Sequence, residues 1–163
     1  MLHDDNQLNA AEKIASRAIN LIPKKGSQSL VCESHRLLGN TYQSKRDTEK
    51  AFHNFEVALR IASSFNWHDH LIWIHHDLAQ LLLDEGRFAD AHAHIEGTEP
   101  HAINSAYNLG LAMELRAKVW YKQRRLEEAR SEVLRGTNVY EKLGAVKDAG
   151  GCRRLLRRIG GKS

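Results

Sequence analysis

The chain alternates apolar and polar positions with a helical period almost throughout. In His35–Ala58, Leu38 and Gly39 are followed three residues later by Tyr42, and then by Ala51, Phe55 and Ala58. This spacing suits two antiparallel helices: Gly39 is small where the partner helix crosses, Ala51 and Ala58 match it, and Tyr42 and Phe55 fill the space beside them. The pattern recurs. Leu78, Ala79 and Leu82 precede Ala91 and Ile95, and Ala117 and Trp120 precede Ala129 and Val133. The small residue of each first helix stands 12 positions before the alanine of the second. Those alanines fall at 11, 51, 91 and 129, in phase at intervals of 40, 40 and 38. An internal repeat of this length is the mark of stacked supersecondary units.

The pattern predicts one all-α domain. Residues 7–23 form a partial repeat, a second helix whose first helix is missing, ending at Pro23. Repeats follow at 28–64, 68–98 and 102–143, as helix pairs 28–44 with 48–64, 68–84 with 88–97 and 102–123 with 126–143. Turns are expected at Lys24–Ser27, Lys45–Asp47, Glu85–Arg87 and Thr98–Pro100, where Gly, Pro and Asp reverse the chain. At 145–160 a capping helix carries Cys152, Leu155, Leu156 and Ile159 on one face, ringed by Arg153, Arg154, Arg157 and Arg158.

These residues resemble the tetratricopeptide repeat, whose signature runs Trp-x-x-Leu-Gly-x-x-Tyr, Ala-x-x-x-Phe, then Pro. The 40-residue period is similar to the long repeats of kinesin light chains and of the carboxy-terminal arrays of fungal nucleotide-binding NTPases. His35, His75 and Met113 replace the opening aromatic, and Arg116 occupies the slot of Leu38 and Leu78. The resemblance implies a right-handed helix-turn-helix solenoid that binds a protein or peptide in its concave groove. Alternatives are the regulatory arm of a larger NTPase and a chaperone-peptide module. The abrupt start inside a repeat suggests part of something longer.

First helices face the groove in such arrays. Steps of four and three predict Arg36, Asn40 and Gln43, then His76, Gln80 and Leu83, then Glu114, Lys118 and Tyr121 as its lining. They are polar and long for the most part, suited to a peptide's backbone and side chains. Chaperone-binding relatives hold a terminal carboxylate at matching positions, here Arg36–Asn40, Gln80 and Glu114–Lys118. Glu114 puts a negative charge where that carboxylate docks.

Composition adds exclusions. The 163 residues, 42% hydrophobic and 27% charged, suit a globular chain with a real core. The longest apolar runs span about four residues, such as Leu71–Ile74, against the ~18 needed to cross a bilayer. No secretory signal opens the chain. Cys32 and Cys152 form no paired motif, so a reducing, cytoplasmic setting is expected. From Lys122 onward, 12 Lys/Arg stand against 5 Asp/Glu. Without interleaved aromatics or a nucleic-acid fold, this tail reads as a solvated face, and neither nucleic acid nor membrane is an expected partner.

Among ten histidines, the pairs His68/His70, His75/His76 and His92/His94 lie one or two apart, where metal ligands on one helical face need three or four. No metal or cofactor is expected. The closing Gly160-Gly161-Lys162-Ser163 lacks both the upstream glycine and the following helix of a phosphate loop. No nucleophile or carboxylate pair stands in a catalytic context, so no enzyme is expected. The exposed partial repeat, with Ile14, Ile19 and Leu21, makes a homodimer through that edge plausible.

Overall fold

The computed structural model describes residues 2–21, 27–102 and 105–161. Among them are eight helices and no strand: α1 (Leu2–Leu21), α2 (Gln28–Ser44), α3 (Thr48–Ser64), α4 (His68–Asp84), α5 (Phe88–Ala102), α6 (Ala106–Lys122), α7 (Leu126–Lys142) and α8 (Val146–Ile159). Two compact units result, Met1–Leu81 and Leu82–Ser163. The expected stop at Pro23, most of the Lys24–Ser27 turn, and Lys162 and Ser163 lie outside the described residues.

Helix starts follow local chemistry. Asp47 Oδ1 accepts from the Lys50 amide at 3.2 Å, and Ser105 Oγ accepts from the Asn108 amide at 3.3 Å. Helix ends repeat one device. A left-handed residue stands in five turns of the described residues, at Arg46, Asn66, Gly86, Arg124 and Gly144, with φ between 52° and 73°. The amide of the next residue then bonds back into the helix just ended, as Asp47 to Tyr42 O and Arg125 to Trp120 O do, both at 2.9 Å.

The first unit is built around Phe55. Cys32, Ala51, Phe55, Ala58 and Ala62 pack with Leu71, Ile74, Leu78 and Leu81, and Tyr42 and Trp67 close the sides. Gly39 is required here: a Cβ on it would lie 2.5 Å from the Phe55 ring. The Cys32 thiol donates to the Ala58 carbonyl at 3.4 Å, tying α2 to α3. Glu12 joins α1 to α2 by accepting from Tyr42 Oη at 2.8 Å and pairing with Lys45. In the second unit Ala117, Val133, Tyr140, Ala149, Cys152 and Leu155 form the core joining α6, α7 and α8. Leu38, Ala79, Leu82, Ala91, Ile95 and Ala129 are also buried, and Trp120 is half-buried.

Several boundaries differ from the sequence reading. Thr98–Pro100 is helical rather than a turn, and α6 starts at Ala106 rather than 102. Pro100 denies the Glu96 carbonyl its helical donor. The helix nevertheless runs on because this extra turn buries Thr98 and Ala102, with Thr98 Oγ1 donating to Ile95 O at 2.7 Å. The first helix likewise begins at Leu2, before the expected residue 7.

Candidate partner-binding site

In the first unit, α2 and α4 lie side by side and parallel. Ser29 Oγ meets His70 Nε2 at 3.2 Å, and seven residues further along both helices Arg36 Nη1 donates to Asp77 Oδ2 at 2.8 Å. Asn40 Nδ2 donates to the same oxygen at 3.1 Å. Arg36 also grips Glu33 with two bonds, Nε–Oε2 at 3.0 Å and Nη2–Oε1 at 2.8 Å. The Glu33 bonds, followed by the Asp77 charge, hold the Arg36 guanidinium well above its ordinary pKa despite the opposing effect of burial. His76 Nδ1 lies 3.5 Å from Asp77 Oδ1, at the outer limit of a polar contact.

Around this ionic centre three large apolar side chains reach solvent. Leu30 and Leu37 are 59% and 47% exposed on α2, and Trp73 is 38% exposed on α4, its ring edge-on to His76 at 6.4 Å. Leu30, Glu33, Leu37 and Asn40 recur at three- and four-residue steps, as do Trp73, Asp77 and Gln80. The open stripe is therefore rotated by about one position from the predicted lining. Asn40 and Gln80 lie on it, Arg36 and His76 flank it, and Gln43 is half-buried. Leu83 is a correction: at 4% exposure it belongs to the buried Leu81–Leu83 run and lines no open surface.

The remaining predicted residues belong to the second unit. Glu114 pairs with Lys118 Nζ at 2.9 Å and accepts from Tyr140 Oη at 3.4 Å. Tyr121 is half-buried and packs against the core that holds Ala117 and Tyr140. Burial raises the Tyr140 phenol far above its ordinary pKa and pushes the Cys152 and Cys32 thiols up to about 11, which keeps both thiols protonated near neutrality.

The second unit also has a cavity of about 670 Å³ lined by His92, Glu96, Glu99, Arg116, Trp120 and Arg125. Arg116 spans it, pairing with Glu99 and with Glu132 Oε1 at 3.1 Å, and Arg125 lies over the Trp120 ring at 5.4 Å. Arg116 stands where the repeat pattern calls for leucine because buried Glu132 faces it, held also by Arg135 at 2.8 Å. That break in the apolar pattern was the available signal for this ionic cluster. Among the described residues no three metal-ligating side chains gather, and no helix is long and apolar enough to cross a membrane.

Comparison with known families settles the repeat type over part of the chain. Residues 30–97 match the family described as tetratricopeptide repeat. Among solved structures, BtubC (BKLC) from P. vanneervenii is similar over 98% of this chain and 75% of its own, with 16% identity and a TM-score of 0.73. That similarity shows the all-α tetratricopeptide-like fold. No curated protein gives a significant match. Tetratricopeptide repeats are in general protein-interaction scaffolds rather than catalysts, and α3, α4 and all of α2 but its first two residues fall within the matched residues.

Proposed function

We propose that the first unit binds an extended segment of a partner protein across the α2–α4 face, without catalysis. The observation that carries this reading is the exposure of Trp73 beside Leu30 and Leu37 around a preformed ionic centre. Exposed large apolar side chains clustered among ordered polar groups are what a docking surface offers, with the aromatic as anchor. Glu33 and Asp77 outnumber Arg36, so the centre carries a formal charge of about −1 and favours a segment with apolar residues next to a lysine or arginine. A terminal carboxylate is disfavoured, because Arg36 and Asn40 already hold the Asp77 carboxylate.

A displayed peptide library selected on the full chain tests this. Enriched segments should pair apolar with basic residues and should not be recovered on Trp73→Ala. Enrichment of acidic segments, or recovery unaffected by that substitution, would overturn it. Ile14 and Leu21, 69% and 74% exposed on α1, support a second property, self-association through that helix. Ile14→Arg should then abolish any concentration-dependent dimer seen by light scattering, and a dimer that persists would exclude this edge.

A further inference from the structure

We propose that the outward face of α8 is a second interaction surface, which takes an acidic segment of a partner protein. Ala149, Cys152 and Leu155 are buried in the second unit's core, with Leu156 and Ile159 packed against it. Lys147, Arg153, Arg154, Arg157 and Arg158 are left on the exposed side. The single carboxylate of this helix, Asp148, is turned away and accepts from Tyr107 Oη at 3.4 Å. Among the described residues Arg153 alone of these five has an ionic partner, Glu141 of α7 at 2.6 Å. Four cations therefore share one face without an ion pair, and the carboxylate nearest to it, Glu114 of α6, stands at its edge, 3.8 Å from where the Gly151 Cβ would lie, and is paired with Lys118.

The shape of the face suits close approach. Gly150 and Gly151 place bare backbone in its middle, and the Arg154 guanidinium lies along it, 3.7 Å from where either glycine's Cβ would stand. Arg153/Arg157 and Arg154/Arg158 form two rows whose members are one helical turn, about 6 Å, apart. That step matches carboxylates on successive turns of a partner helix and lies close to the ~7 Å between alternate residues of a strand. Arginine also binds carboxylates in a two-bond fork, and Glu141 already reaches Arg153 from a neighbouring helix surface.

The same observations weigh against the other polyanions. The apolar half of α8 is used in the core, and Val146, 76% exposed, is the one large apolar side chain left on its open side, too little to insert into a bilayer. Lys147, Gly150, Gly151 and the arginines include no aromatic ring to stack on a base and no amide to read one.

The test uses the full chain and a fluorescein-labelled helical peptide with glutamate at every fourth position, titrated by anisotropy at low and at physiological salt. Parallel titrations use phosphatidylserine vesicles and a single-stranded 15-mer RNA. We expect saturable peptide binding that weakens at least tenfold in Arg154→Glu/Arg158→Glu and largely survives Arg154→Lys/Arg158→Lys. A single charge reversal away from α8, Arg60→Glu on α3, should change it less than twofold. Helicity of each variant is checked by circular dichroism, with Arg154→Gln/Arg158→Gln replacing the reversal if that variant fails to fold. Absence of peptide binding, an equal loss in Arg60→Glu, or tighter binding to RNA or vesicles than to the peptide would overturn the proposal.

Discussion

Arg36 of α2 and Asp77 of α4 meet at 2.8 Å, with only 19% and 13% of their side chains exposed, so the face offered to a partner is built on an internal ion pair. The pair does structural work: it sets the alignment of two parallel helices that have no loop directly between them. Arg36 stays charged across any accessible pH, and Asp77 also accepts from Asn40. Truncating Asp77 to alanine should lower stability by about 1.5–3 kcal/mol, the range for a lost hydrogen bond to a charged group. A double-mutant cycle with Arg36→Ala should show coupling, with the pair costing less than the sum. Additive urea midpoints would mean the contact contributes nothing.

Glycines separate tight from tolerant crossings. Gly39→Ala sets a Cβ into the Phe55 ring at 2.5 Å and should cost about 1–3 kcal/mol through overpacking. Gly136→Ala meets Met113 Cβ at an ordinary 3.5 Å and should be neutral or stabilise the chain by up to about 1 kcal/mol through helix propensity. Thermal melts of the two single variants decide whether the order holds.

Turns offer a second stability test. Arg46 and Arg124 hold φ of 61° and 62°, a left-handed conformation that side chains other than glycine adopt at a cost. Gly86 and Gly144 fill equivalent turns without it. Arg46→Gly and Arg124→Gly should each raise stability by roughly 0.5–1 kcal/mol, and Gly86→Ala should lower it. A fall in melting temperature for both arginine replacements would show that their side chains matter more than the backbone.

Acid sensitivity should trace to two histidines of α5. Burial lowers the pKa of His94 and, together with the nearby Arg116 and Arg125 charges, that of His92. The unfolded chain therefore binds protons more readily at both sites, so stability is full above the ordinary histidine pKa of about 6.5 and declines as pH falls below it. Urea midpoints between pH 7.5 and 5.5 should decrease, and His92→Gln/His94→Gln should flatten that slope. An unchanged slope in the double variant would assign the loss elsewhere.

Repeat phase was legible because small residues are forced where helices cross: Gly39, Ala79 and Ala117 are all buried and each faces its expected spacing. The open stripe was harder to read. A shift of one residue turns a helix by 100°, and Leu30, Leu37 and Trp73 carry the same apolar signal as core residues while standing in solvent. Pairing across helices was invisible for a different reason. Asp77 and Glu132 find Arg36 and Arg116 at separations of 41 and 16 residues, which no local period encodes. Pro100 misled because proline usually ends a helix, whereas here burial of Ala102 extends it.

The most direct test of partner binding at the α2–α4 face is the affinity of the best selected peptide for the wild-type chain, for Trp73→Ala and for Trp120→Phe, each verified as folded. The account predicts at least a tenfold loss with Trp73→Ala and little change with Trp120→Phe, which lies in the second unit. Equal affinity for the wild type and Trp73→Ala would contradict it and move the binding surface away from the first unit's exposed stripe.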